Sequence, residues 1–212
     1  MRIKSITTAM FSLFLALALI FISIPHNAEA AVRATFTDIK KGAWYEETVQ
    51  WGISNQIITG YDDGSFKPSK TVTEAEFLAM LIRAFEPNLA AAQKGNWANV
   101  YYARAKELNY PVQSYTDPAP RKKVLLRKRV AELISATEGV HFSGDNAIRY
   151  LLAFGLAQGK NPNEVGIKSF EGDKALTRIE ALRFIKNLRD YGVGGLLERP
   201  AEASNPQDIP EA

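Results

Sequence analysis

Two segments far apart in this chain spell the same local program, and that internal repeat constrains the fold more than any other feature. Ile57-Ile58-Thr59-Gly60 matches Leu156-Ala157-Gln158-Gly159, each ending a helical pattern with apolar residues and a glycine. Ser65-Phe66 then matches Ser169-Phe170, and Thr73 follows Phe66 at the spacing at which Thr177 follows Phe170. Lys70 and Lys174 fall in register between them. Both threonines have glutamate three positions later, Thr73/Glu76 and Thr177/Glu180, the signature of a capping box opening a helix. Behind each box, Phe77, Met80, Leu81 and Leu182, Ile185, Leu188 recur at helical spacing. The later copy differs mainly by a loop five residues longer, within Lys160 to Lys168.

A degenerate copy lies between these two. Trp97 to Leu108 has a helical pattern, Tyr115 stands where Tyr61 would, and Leu125 to Ile134 matches the second helix. Leu126 replaces the capping threonine and Arg129 the glutamate, so the box is lost there. The chain therefore divides into a leader at 1–30, repeats at 31–90, 91–140 and 141–195, and a tail at 196–212. The tail has prolines and carboxylates but almost no large apolar residue, and its composition predicts disorder. The repeats predict an all-α protein of three helix–loop–helix units.

The leader has Arg2 and Lys4, then an apolar run from Ala9 to Ile24, then Pro25 and Ala28-Glu29-Ala30. A charged start, apolar middle and small-residue exit predict a signal peptide cleaved before Ala31, and Pro25 with the Ala-Glu-Ala site favours cleavage over a retained anchor. Beyond it no segment is apolar enough to span a membrane, so the expected product is exported. It would keep 24 basic and 22 acidic residues, a near balance. Cysteine is absent, which excludes disulfides, thiolate metal sites and a cysteine nucleophile. His141 is the one histidine outside the leader. No nucleophile elbow, P-loop, zinc-protease or dinucleotide motif appears, and the repeats use up the ordered chain, so no enzyme, cofactor or metal site is expected. Asp62 and Asp63 lie in a glycine-containing loop, but the twelve-residue spacing of a calcium loop is missing.

Phe36-Thr37-Asp38-Ile39, Trp44, Gln56 to Pro68 and Val72-Thr73-Glu74-Ala75-Glu76-Phe77 together resemble an S-layer homology repeat. Leu152 to Leu188 resembles a second such repeat, with Leu176-Thr177-Arg178-Ile179-Glu180 standing for the Thr-Arg-Ala-Glu signature. The resemblance implies three repeats in a pseudo-threefold bundle at the wall of a Gram-positive bacterium. It implies non-covalent binding of secondary cell-wall polysaccharide through a pyruvylated terminal sugar, in grooves between neighbouring repeats. The family's signature arginine contributes to the anion site with loop glycines and nearby aromatics. Carried over, the candidate glycan contacts are Arg178, Arg127, Trp44, Gly60, Tyr61, Gly64, Gly159 and Lys174. Repeat one has Glu74 at the arginine position, a charge reversal that should repel a ketal carboxylate and disable that groove.

Physical chemistry runs beside the resemblance. Arginines in a first helical turn sit where the macrodipole favours anions and offer a planar fork to a carboxylate, although most helix arginines are simply solvated. Trp44 and Trp97 each open a repeat, where an indole either stacks on a sugar or joins the core. Arg121 to Arg129 carries six basic residues in nine. Export makes nucleic acid an improbable partner for that run, whereas an anionic wall polymer or another wall or S-layer protein fits it. A scaffold that has lost part of its glycan sites and holds such a protein is the competing expectation.

Overall fold

A computed structural model describes residues 36–89, 95–161 and 163–211. The expected signal peptide lies outside the described residues. Eight helices follow in order: α1 (Glu46–Ser54), α2 (Glu74–Phe85), α3 (Asn99–Glu107), α4 (Pro118–Arg121), α5 (Arg127–Thr137), α6 (Gly144–Ala153), α7 (Ile167–Phe170) and α8 (Arg178–Tyr191). The protein is all-α, since β-pairing among the described residues is confined to three isolated bridges. Both capping boxes form as the sequence predicts. Thr73 Oγ1 accepts from Glu76 N while Thr73 N donates to the Glu76 carboxylate at 2.8 Å, and Thr177 and Glu180 do the same at 3.0 Å. Leu126 gives α5 no side-chain cap.

The three bridges join the segments that enter α2, α5 and α8. Val72 N donates to Leu176 O at 3.0 Å, Leu125 N to Val72 O at 2.9 Å and Leu176 N to Leu125 O at 2.9 Å, a closed ring of hydrogen bonds. A second ring lies one turn outward: Glu74 N to Lys123 O, Arg127 N to Lys174 O and Arg178 N to Lys70 O. The first amide of each helix, which has no partner within its own helix, is thus satisfied by a neighbouring segment. Apolar side chains fill the space behind the rings, with Val72, Phe77, Leu81, Leu125, Val130, Leu133, Leu176, Leu182 and Ile185 fully buried.

Helix pairing crosses the repeat boundaries read from the sequence. The main pairings are α3 on α2, α6 on α5, and α1 and α2 on α8. The helix that opens each expected repeat packs on the closing helix of another, and α1 lies against α8. Residues just ahead of α1, α3 and α6 are thereby placed beside helices that belong to other repeats.

The tail corrects its expected disorder. Leu197 N donates to Thr137 O at 3.0 Å and Arg199 N to Leu108 O at 3.0 Å, so the segment covers carbonyls that α5 and α3 leave unsatisfied at their C-terminal ends. Arg199 Nε donates to Asn109 O at 2.6 Å, and Asn109 Nδ2 returns a bond to Arg199 O at 3.0 Å. Ser204 is tied to His141 in both directions, and Ile209 is buried. A segment poor in apolar residues is ordered here by polar groups that the helices leave open.

Candidate functional site

The second helices begin with Glu74, Arg127 and Arg178, and each of these side chains is buried against another repeat. Arg178 Nε donates to Phe66 O at 2.8 Å and Nη2 to Thr59 O at 3.2 Å, and its guanidinium lies 4.9 Å from the Tyr61 ring and 4.8 Å from the Phe66 ring. Arg127 repeats this with Nε to Phe170 O at 2.7 Å and its guanidinium 4.8 Å from the Phe170 ring, while Nη1 pairs with Glu180 at 3.2 Å. Neither is the solvated helix arginine that statistics favour. Arg178 Nη1 and Arg127 Nη2 make no hydrogen bond among the described residues, where no buried side-chain nitrogen or oxygen lacks a partner, so both retain solvent access.

Each arginine edges a groove. The first holds about 340 Å³ and is walled by Thr59, Gly60, Tyr61, Met80, Arg83, Trp97 and Arg178. The second holds about 280 Å³ and is walled by Trp44, Arg127, Gly159, Lys160, Glu180, Arg183 and Asn187. The indoles are not core: Trp44 is 66% exposed and Trp97 52% exposed. Trp97 stands at the entry to α3 and Trp44 at the entry to α1, which is how the crossed helix pairing delivers them to α2 and α8. Gly60 and Gly159 are required by crowding, because a Cβ would lie 2.3 Å from the Phe36 ring at Gly60 and 2.0 Å from Ser169 Oγ at Gly159.

The structure thus gathers Arg178, Gly60 and Tyr61 at one groove and Arg127, Gly159 and Trp44 at the other. Gly64 lines neither. It turns the loop at φ +76°, where Asp63 accepts from Ser65 N, and the Ser65 hydroxyl and Lys67 help hold the Asp63 carboxyl down to about 2. Lys174 also lies elsewhere, exposed in a depression with Lys128, Lys168 and Asp173. The groove cations Arg83, Lys160 and Arg183 lie outside the candidates named from the sequence, and Trp97, which the sequence leaves between stacking and core, lines the first groove. Arg83 stands seven positions after the box glutamate of α2 and Arg183 three after that of α8, so counting forward from the capping box reaches both.

Charge is arranged differently in the two grooves. Burial pushes the Glu180 carboxyl up, but Thr177 N–H, Arg127, the Thr177 hydroxyl and Lys160 outweigh it and hold it below the usual range. Burial pulls the Arg127 guanidinium down while Glu180 and Glu171 oppose it. Lys67, whose charge Asp63 offsets at 2.9 Å, and Lys70 sit over the Tyr61 ring at 4.2 Å and 4.9 Å, beside Arg178.

Glu74 occupies the third arginine position and is completely buried. Its carboxylate accepts from the Tyr102 hydroxyl at 2.9 Å and from Gln113 N at 3.1 Å. It therefore plugs a junction instead of facing a groove and repelling a ligand as expected. Arg129, in place of the box glutamate, pairs with Glu132 and donates to Pro111 O, and Glu132 accepts from Gly144 N. The basic run is likewise divided. Arg121 is buried over the Tyr102 ring and donates to Asn99 at 2.8 Å, and Lys128 pairs with Asp173, leaving Lys122 and Lys123 exposed. Among the described residues no three His, Cys, Asp or Glu side chains cluster to hold a metal, and no helix is long and apolar enough to cross a membrane.

Residues 35–78 match the family model described as the S-layer homology domain. Over that stretch the chain is similar to the S-layer homology domain. It is 27% identical over 195 residues to the middle cell wall protein of Brevibacillus brevis, covering 82% of this chain and 18% of that protein. It is 32% identical over 109 residues to the surface layer protein of Brevibacillus choshinensis, covering 50% of this chain and 9% of the relative. A cellulosome-anchoring protein of Acetivibrio thermocellus is 25% identical over 105 residues, covering 44% of this chain and 23% of that protein. The chain spans less than a quarter of the length of each of these relatives. The S-layer homology match falls within the first copy and includes Gly60 and Tyr61 of the first groove and Glu74 of the plugged junction, while Arg83 lies just beyond it.

Proposed function

We propose that this protein is a non-catalytic anchor that binds secondary cell-wall polysaccharide through the Arg178 and Arg127 grooves and is held at the bacterial surface by them. Three units in pseudo-threefold arrangement frame the grooves, a reading supported by the closed backbone rings at Val72, Leu125 and Leu176. The observation that carries the function is the recurrence, twice in one chain, of a guanidinium, a loop glycine and an exposed indole at the edge of a groove. A sugar ring stacks on Trp97 or Trp44, and its acidic substituent, such as a pyruvyl ketal, meets the solvent-facing nitrogen of the arginine. Backbone carbonyls hold each guanidinium in place before the ligand arrives, so little side-chain entropy is lost on binding. The cell-wall and surface-layer names of the relatives fit a wall-bound role.

The test is retention on purified wall sacculi before and after acid stripping of the secondary polymer, with Trp97→Ala and Trp44→Ala beside the unaltered chain. These exposed indoles are safer probes than Arg178, whose loss would also loosen two repeats. Loss of binding on stripping and a drop for each variant are expected. Equal retention throughout overturns the reading. A second reading, a scaffold that holds another wall or S-layer protein, is favoured by the Glu74 junction, where the arginine is replaced. Retention that survives stripping but is lost on removing other wall proteins would select it.

A further inference from the structure

The two grooves share a loop glycine and the box glutamate, Glu76 in the first and Glu180 in the second, but differ at six matched positions, three of which change a charge: Tyr61 against Lys160, Ala79 against Arg183 and Arg83 against Asn187. In the first groove Arg83 is engaged by the Tyr101 hydroxyl at 2.7 Å and lies against its ring, and the Tyr61 and Trp97 rings line the space. Arg178 is compensated there by carbonyl dipoles and ring faces, with no carboxylate paired to it among the described residues. The second groove has no ring at the Tyr61 position. Arg127 Nη1 and Lys160 Nζ instead converge on one atom, Glu180 Oε1, at 3.2 Å and 3.3 Å. Arg183 is exposed and makes no ion pair among the described residues.

Building on the glycan-binding reading, we infer that the grooves read different parts of an anionic polymer: the Arg178 groove takes a singly charged terminal sugar, and the Arg127 groove takes an interior stretch bearing two neighbouring negative charges. A lone carboxylate brought to Arg127 meets Glu180 already in place, so the attraction of the guanidinium is largely cancelled. Net positive charge in that groove comes from Lys160 and Arg183, which become useful only to a ligand whose second anionic group reaches them. Lys160 also lies 3.5 Å from Glu171 Oε2, but it is about half exposed and sits on a four-carbon stem, so it can leave both carboxylates to follow that group. Carboxylates and phosphate esters both supply such charges, and the grooves' chemistry is common to the two. Lys160 and Arg183 are the residues that set this selectivity.

The test follows the Trp44 and Trp97 indole signals by NMR in the full chain. Three probes are titrated: a pyruvylated methyl glycoside with one charge, trigalacturonate, and a glycerol-phosphate trimer. The single-charge sugar is expected to shift Trp97. Trigalacturonate, the phosphate trimer or both should shift Trp44, and which of them does so identifies the anion. Lys160→Gln with Arg183→Gln should weaken the multiply charged probe about ten-fold and flatten its salt dependence. The same double variant should leave the Trp97 response unchanged. Equal responses of both indoles to every probe, or an unaltered trianion affinity in the double variant, overturn the division of labour while the anchoring reading stands. No response of either indole to any probe overturns both.

Discussion

The Arg178 and Glu74 junctions are built on the same backbone and solve it with opposite charges. At Arg178 a buried cation meets two backbone carbonyls and two aromatic faces, and part of the guanidinium still reaches a groove. At Glu74 a buried anion meets a backbone N–H and a phenol hydroxyl, and nothing of it is exposed. The first arrangement joins two repeats and leaves a donor over. The second joins two repeats and consumes the whole group. A motif position can therefore keep its structural duty after losing any binding duty, provided its surroundings change with it: Gln113 presents an N–H, and Tyr102 a hydroxyl, toward the new carboxylate.

The largest effect should come from undoing that adjustment. Glu74→Arg, which places there the residue found at the matched positions Arg127 and Arg178, would set a buried guanidinium against the Gln113 N–H, the Tyr102 hydroxyl and nearby Arg129. A loss of about 3–5 kcal/mol is expected in urea denaturation, the range for an uncompensated buried charge. A variant as stable as the parent would mean that the third junction is not specialised at all.

Next in size is the strap that covers the same side of the molecule. Arg199→Ala removes donors to Asn109 O, Asn109 Oδ1 and His141 and leaves a partly buried carbonyl short of a partner. A cost of about 2 kcal/mol is expected, because each buried group stranded this way loses its hydration as well. Lys122→Ala and Lys123→Ala, on exposed remnants of the basic run, should move stability by less than about 0.5 kcal/mol. If the lysine variants cost as much as Arg199→Ala, the tail is not a structural element.

The helices, the capping boxes and the repeat itself were legible because they are local: a threonine, a glutamate three residues on and a 3.6-residue period are all contained in one segment. Arg178, Gly60 and Tyr61 could be placed in one site because the repeat register is conserved along the loop. The crossed helix pairing was not legible, since nothing within α1 says that its apolar face meets α8. For that reason the sequence does not decide between stacking and core for Trp97, and Lys174, in register with Lys70, lies in a depression apart from both grooves. The tail failed for a related reason. Its order comes from carbonyls at the ends of α3 and α5, and composition does not see a partner contributed by a distant helix end.

Glu74 and Glu180, the partner of Arg127, should also titrate with opposite consequences. Burial holds the Glu74 carboxyl above its usual range, against the pull of Tyr102 and Gln113. Folding then favours the protonated form, so relative to Glu74→Gln the native chain should gain stability as pH falls from 7 toward 4. Glu180 is held below its usual range, so relative to Glu180→Gln the native chain should lose stability as pH falls below about 4.3 through the depressed value. Thermal melts of the three proteins across pH 3 to 7 check both signs. Parallel curves would mean that the two carboxylates are in equivalent surroundings, contrary to the geometry.

The smallest effect separates accommodation from drift. Thr73→Ala and Thr177→Ala should each cost about 1 kcal/mol by removing a cap. Leu126→Thr offers α5 the missing hydroxyl and is expected to recover no more than about 0.5 kcal/mol, because Arg129 cannot complete the box. Adding Arg129→Glu would complete it, yet would also remove the donor to Pro111 O and the partner of Glu132, and would set a second acid beside Glu74. The double variant should therefore be less stable than Leu126→Thr alone. If it is the most stable of the series, the lost box is neutral decay. If it is the least stable, Arg129 is held in place by Glu74, and the two departures from the repeat pattern are one coupled change.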